Sequence, residues 1–450
     1  MTAERVSPAS ESARSPAALR VFPRARKPDM AAAMPGVVMD LAPLRRHGDF
    51  RLLFVGQFVS QLGTMVRVVA LPFHVYALTR SSLAVGLLGV AQLGPLLLTA
   101  LAGGALADAV DRRRMVQVTE AALALGSAAL TANALLARPH LWLLYVVAGA
   151  MAAINGLQEP SLNAMIPRLV DPDELPAAAA LQSFKGSVSM IAGPAAGGAL
   201  LAAAGVPATY AVDAASFLVS LVALALMRPM PPPPRKGRLR LGAVLEGLRY
   251  AKSRPELIGT YVVDVVAVFF GVPTALFPAI AEGLGGAGVL GLLYAAPAVG
   301  ALAATLTSGW TRRVHRHGLA ILLAAGAWGA ALAAFGLTRN LVVALFCLAL
   351  AGAADMVSGL FRMTIWNQTI PDALRGRLAS IELLSYMTGP LLGDAESGAV
   401  AALAGVRFSA ISGGVLCVVG VVVVAVLLPG FRRYASRSSA SPGPSPGAAA

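Results

Sequence analysis

Ionisable residues interrupt several apolar runs of this 450-residue chain. Asp264 stands in YVVDVVAVFF, and Asp355 in LAGAADMVSGLFRM with Arg362 two turns further on. Arg67, Glu120, Asp213, Glu382, Asp394 and Glu396 fall in other apolar runs. A charge at mid-membrane costs about 2.5–3.5 kcal/mol on insertion scales, so such residues face a pathway or a partner. A carboxyl in low dielectric holds a proton more firmly than in water. It can load that proton at one surface and release it at the other, which is the chemistry an antiporter needs. Asp264 and Asp355 are the candidates for this role, flanked by apolar residues and away from the loops. Arg67 and Arg362 are candidate charges for a partner or a substrate. Structural pairing is the competing reading, with Asp355 joined to Arg362 and Asp264 to Arg67. Asp213 follows Pro207 and reads as a helix cap, while Glu120 lies near a basic loop and reads as solvated.

The elements that must hold these residues are transmembrane helices. The chain is 57% hydrophobic and 13% charged, against about 25% charged in a soluble domain. Blocks such as LVVALFCLALAGAA meet the demand of roughly 20 apolar residues per span. The period-two alternation of barrel strands is missing. The sequence predicts an all-α membrane protein of about twelve transmembrane helices. Their approximate limits are 52–75, 83–106, 115–137, 141–162, 180–204, 208–227, 257–281, 287–308, 319–337, 340–361, 378–403 and 408–428.

Lys and Arg orient the spans. Arg45, Arg46, Arg51, Arg112 to Arg114, Arg168, the central loop, Arg312, Arg313, Arg316, Arg375, Arg377, Arg432 and Arg433 share one side. The opposite loops hold single arginines: Arg80, Arg138, Arg339 and Arg407. Both termini are therefore expected in the cytoplasm of a bacterial-type cell membrane. The net charge of +14 reflects these loops and calls for no nucleic acid. Cys347 and Cys417 sit in apolar runs as packed thiols, and the five histidines show no metal-ligand spacing. His74 reads as a satisfied residue near a helix end. No Walker loop or nucleophile elbow appears, so neither an enzyme nor ATP-driven pumping within this chain is indicated, and no cofactor or metal is expected. The expected division is a disordered tail over 1–46, a six-helix bundle over 47–228, a basic linker over 229–256, a second bundle over 257–430 and a disordered tail over 431–450. The linker segment Leu241 to Lys252 fits a short amphipathic surface helix.

The halves echo each other. GGALADAVDRRR follows the second span and SGWTRRVHRHG the eighth. Gly193, Pro194, Gly197 and Gly198 in the fifth span match Gly389-Pro390-Leu391-Leu392-Gly393 in the eleventh. Parallel repeats of six spans are a transporter pattern. On these residues the chain, from about 40 to 430, resembles the major facilitator superfamily. Gly104, Asp108, Arg112 and Arg113 match its loop motif after the second helix, while Ala109 and Asp111 depart from it. The Gly-Pro-x-x-Gly-Gly of the fifth helix resembles a motif of drug:proton antiporters. FRLLFVGQFVSQLG, EPSLNAMIPRLVDPDELPAAAALQS and YAVDAASFLVSL resemble the branch containing the enterobactin exporter and the Tap-type multidrug efflux pumps.

The resemblance implies a major facilitator fold of two six-helix parallel-repeat halves working by alternating access. It also implies a gating latch. Gly104 permits close helix approach, Asp108 faces the start of the eleventh helix, and Arg112 or Arg113 pairs with Glu159. The plainer reading of this loop is a positive-inside anchor. Phe73, Tyr76, Phe269, Phe270 and Phe277 are candidate cavity residues. The expected function is proton-coupled efflux of drugs or secondary metabolites, by a monomer that meets membrane lipids, protons and a bulky, partly apolar or cationic small molecule. A dedicated siderophore exporter is the alternative within transport. A non-transporting sensor or scaffold is the alternative outside it.

Overall fold

The computed structural model describes residues 39–107, 111–229, 250, 254–271 and 273–435, with backbone only over 100–107 and most of 372–387. The first half holds α1 (Gly48–Thr79), α2 (Ser82–Ala107), α3 (Arg112–Ala134), α4 (Leu141–Met165), α5 (175–204) and α6 (206–226). In the second half, α7a (Pro255–Phe270) is followed by a 3-10 turn (Thr274–Leu276) and α7b (Phe277–Leu284). Then come α8 (Ala287–Leu306), α9 (His317–Leu337), α10 (Leu341–Thr369), α11 (Asp372–Ala404) and α12 (Val406–Leu427). Ten stretches of the described residues are long and apolar enough to cross a membrane. One of them contains both α5 and α6, and α11 is a further helix of 33 residues, so the described residues hold twelve long helical segments.

Local chemistry sets the helix ends. Asp111 is the N-cap of α3, its carboxylate accepting from the Arg113 N–H at 2.9 Å. This explains the departure from glycine there, because a capping Asp satisfies an otherwise orphaned donor. Asn340 caps α10 in the same way, at 2.9 Å from the Val342 nitrogen. Between α5 and α6 the chain turns on Gly205 alone, at φ 75° and ψ −176°. That region is essentially closed to residues with a Cβ.

The expected continuous seventh span instead ends as a helix at Phe270, and helical turns resume at Thr274. Pro273 lacks an N–H, and its ring disfavours helix in the residue before it. The expected surface helix at Leu241 to Lys252 and the two terminal tails lie outside the described residues, apart from residues 39–46, 250 and 431–435.

Each half packs about its own buried side chains. Leu123, Leu144, Met151 and Phe217 lie in the first core, and Ile321, Phe361, Trp366 and Phe431 in the second. Leu98, Trp142, Leu403 and Leu427 are among the exposed apolar residues, a surface suited to lipid. The repeat survives in the contacts. Gly193 and Gly197 of α5 abut Met65 and Val66 of α1, while Gly389 and Gly393 of α11 abut Val268 and Phe269 of α7a.

The halves meet through the same motifs. A Cβ on Gly198 would lie 2.7 Å from the Gly291 Cα of α8. Across the pseudo-equivalent seam, Gly86 and Gly89 of α2 touch the Asp394 and Leu391 carbonyls of α11.

Candidate functional site

A cavity of about 170 Å³ lies between the halves. Arg67, Leu88 and Gln92 line it from the first half, and Thr274, Tyr294 and Asp394 from the second. Arg67 projects from α1, where it is 7% exposed. Its Nε donates to Asp213 Oδ2 of α6 at 2.8 Å, and the Ser127 hydroxyl of α3 donates to the same oxygen at 2.5 Å. Asp213 is wholly buried, so it is the counterion of Arg67 and not a helix cap. The expected Arg67–Asp264 pair is likewise replaced. Proximity along the chain had suggested neither partner, since 146 residues separate Arg67 from Asp213.

Asp394 occupies the place that Gly198 holds in the other half. Its Oδ1 accepts from the Thr274 hydroxyl and, at 2.8 Å, from the Ala275 N–H. The carboxylate thus meets the exposed donors where the broken seventh helix restarts, the position that favours an anion. Sequence reasoning had noted Asp394 only as a charge in a span. The comparison of GPAAGG with GPLLGD carried the signal, because one glycine of the repeat has become an acid.

A second buried carboxylate, Glu120, is 1% exposed and is not solvated as its nearness to the basic loop had suggested. It accepts from Gln57 at 2.8 Å, Gln158 at 2.8 Å and Ser60 at 3.2 Å. Gln57 also donates to Ser220 at 3.0 Å, so α1, α3, α4 and α6 converge there. Lys185 of α5 stands within electrostatic reach of Glu120 and Glu159.

In the second half Arg362 of α10 is ion-paired with Asp264 of α7a, and its Nη2 lies 3.7 Å from Asp355. Asp264 is close-held, its side chain 13% exposed, whereas the Asp355 side chain is 54% exposed. The expected Asp355–Arg362 neighbourhood is therefore present, with Asp264 as the closer partner.

Of the expected latch, the arginines make these contacts among the described residues. Arg112 donates to the Ala164 carbonyl at 3.0 Å, and Arg113 to the Leu224 and Ala225 carbonyls at 2.7 and 2.8 Å. Arg113 thereby caps the end of α6, where orphan carbonyls attract a cation. The exposed Glu159 faces Lys185. Asp108 lies outside the described residues, and Gly104 in turns of α2 whose surroundings are not described.

At the opposite end, Arg80 bonds Glu282 of α7b, and the Tyr76 hydroxyl donates to the same carboxylate at 3.2 Å. The bonded carboxylate raises the Arg80 guanidinium above its ordinary pKa. Phe73 and Tyr76 line a small cavity beside this contact. Phe277 is buried against Tyr294 and Phe335, while Phe269 and Phe270 pack edge to face. None of these five aromatics lines the central cavity.

His47 is joined to Glu174 at 2.8 Å, and Arg46 to the same residue at 2.9 Å. These two contacts pin the start of α1 to the turn before α5. His74 meets the Tyr210 hydroxyl at 3.3 Å, and both cysteines are free and buried.

Known proteins can now be set beside this geometry. Residues 38–447 match the family described as transmembrane secretion effector. The enterobactin exporter EntS of Shigella boydii serotype 18 is 30% identical over 399 residues, covering 88% of this chain and 96% of that protein. The Escherichia coli O157:H7 enterobactin exporter is 30% identical over 410 residues, covering 90% and 99%. Among solved structures, the nucleoside transporter NupG has a TM-score of 0.70 at 12% identity, covering 86% of this chain and 99% of that one. A bacterial homologue of the iron transporter ferroportin, in an inward-facing state, has a TM-score of 0.65 at 16% identity, covering 85% and 98%. The chain belongs to the transmembrane secretion effector family of the major facilitator superfamily, membrane transporters of twelve spans and not enzymes.

Proposed function

We propose that this protein is a secondary active exporter that moves a metabolite out of the cell in exchange for protons. The observation that carries the reading is the polar cavity between the halves, closed on one side by the Arg80–Glu282 contact and the Gly198–Gly291 seam. The Lys/Arg bias puts both termini in the cytoplasm of a bacterial-type cell membrane. The contacts then correspond to a state shut toward the outside. The bundles 47–228 and 257–430 are the rocking bodies, with 229–256 as their linker. Asp355 is the better-placed proton carrier of the two candidates, because its side chain is less enclosed and 3.7 Å from Arg362, while Asp264 is held by Arg362.

Export of a siderophore is favoured over general drug efflux by the enterobactin exporters, which match at 30% identity over nearly their whole length. Metabolite profiling of a deletion strain tests this choice. Retention of an iron-chelating compound is the expected result. Retention of unrelated dyes with normal chelator release would turn the reading toward drug efflux.

A further inference from the structure

The substrate's chemistry can be read from the Arg67 side of the cavity, on the reading that the protein is an exporter. An arginine and a carboxylate normally join through two parallel hydrogen bonds. Arg67 and Asp213 do not. A single bond links Nε to Oδ2, and Asp213 Oδ1 is buried with no hydrogen-bond partner among the described residues. The paired nitrogens at the outer end of the guanidinium, Nη1 and Nη2, likewise have no protein partner among the described residues, while Arg67 lines the cavity. A nearly buried cation that leaves its hydrogen-bonding fork open is costly unless something else fills it.

The neighbouring groups decide what that is. Asp213 stands behind Arg67, fully buried, and does not line the cavity. Asp394 does line it, but its Oδ1 is engaged by Thr274 and the Ala275 N–H at the helix restart. Gln92 spends its amide N–H on the Leu88 carbonyl at 3.1 Å, which leaves its own carbonyl oxygen to accept from a hydroxyl. The Tyr294 hydroxyl has only a long 3.4 Å contact, to the Thr274 carbonyl. Leu71, Val85 and Leu88 complete the wall.

We infer that the cavity binds an anionic group of the substrate, a carboxylate or an ionised phenol on an apolar ring, with the oxygen atoms on the Arg67 Nη fork. An adjoining hydroxyl reaches Gln92. Pockets for whole drug-sized ligands run to about 300–1,000 Å³, so a volume of about 170 Å³ admits one such group while the rest of the molecule extends away from the Arg80 seal. This differs from the expectation of a bulky, partly apolar or cationic substrate in giving one group of the molecule a negative charge.

Binding of carboxyfluorescein, ethidium and Nile red to the purified full chain gives the test, by fluorescence polarisation, together with efflux of each from energised membrane vesicles. Arg67→Lys keeps the charge and removes the fork. The double variant Arg67→Gln with Asp213→Asn removes both charges and leaves neither one buried alone. The expected result is that carboxyfluorescein binds wild type best, and that its Kd rises about tenfold or more in the double variant and less in Arg67→Lys. Ethidium and Nile red should be insensitive to both. Failure of carboxyfluorescein to bind wild type, or equal binding to wild type and double variant, overturns the inference. Binding that behaves as expected with no efflux of any probe leaves the anion site standing and removes the exporter reading. Efflux of ethidium alone, untouched by the variants, does the reverse.

Discussion

Glu120 shows how much one buried carboxylate does in this chain. Its oxygens accept from three side chains of α1 and α4. Glu120→Gln places an amide N–H₂ among donors, so the first half should lose about 1–3 kcal/mol of stability. A drop in the thermal midpoint in detergent, larger than that of Glu120→Asp, is the expected measurement. Asp355 and Asp264 should separate functionally. Asp355→Asn is expected to abolish the dependence of efflux on an imposed pH gradient while leaving folding intact. Asp264→Asn strips Arg362 of its closest counterion, and a buried pair broken on one side costs about 3–5 kcal/mol. Its signature is low yield of folded protein. Equal yields with equal gradient dependence would remove the distinction between the two acids. At this scale the sequence was partly legible. It marked the charged residues within apolar runs, but not which ones meet. Side chains on helices far apart in the chain become neighbours only through bundle packing. Gln57, Ser60, Gln158 and Ser220 were the available sign of a buried acid at their depth, and they are unremarkable one at a time.

Elements carry the repeat. Helix α5 uses two faces of one motif, with Gly193 and Gly197 against α1 and Gly198 against α8 of the other half. In Gly198→Leu the new Cβ would sit within 2.7 Å of backbone that cannot swing aside as a side chain would. The substitution should wedge the seam open at the Arg80 end. Maleimide labelling of Ser81→Cys should therefore quicken relative to the same reporter in an otherwise unchanged chain. Gly205→Ala puts a Cβ at φ 75°, costing roughly 1–3 kcal/mol, and should lower the thermal midpoint without changing substrate preference. Span positions were legible because burial in lipid demands long apolar runs. The interruption of the seventh helix was not read, although Gly271 and Pro273 spelled it out, since a run scored only for hydropathy hides its punctuation.

The whole molecule is two six-helix halves that meet, among the described residues, through small residues, a shared apolar cluster and an exposed ion pair at the Arg80 end. Replacing Arg80 and Glu282 by cysteines and bridging them with a short bis-methanethiosulfonate linker should give a locked protein that still binds substrate from the arginine-rich side but no longer turns over. Reduction should restore efflux, and unaltered efflux after bridging would show that this end need not open. The all-helical fold of repeated halves was legible in the apolar runs and the recurring motifs, whereas the partners of the loop arginines were not. In the structure Arg113 serves the end of α6.

One consequence follows from how tightly the helices turn at the Arg80 end. Its six connections are 80–81, 135–140, 205, 285–286, 338–340 and 405, each six residues or fewer. Antibodies, bacteriophages and proteases seize protruding loops, so from that side the protein offers them little but helix ends. On the proposed orientation, a surface tag inserted to report its presence on living cells has one roomy berth, residues 135–140.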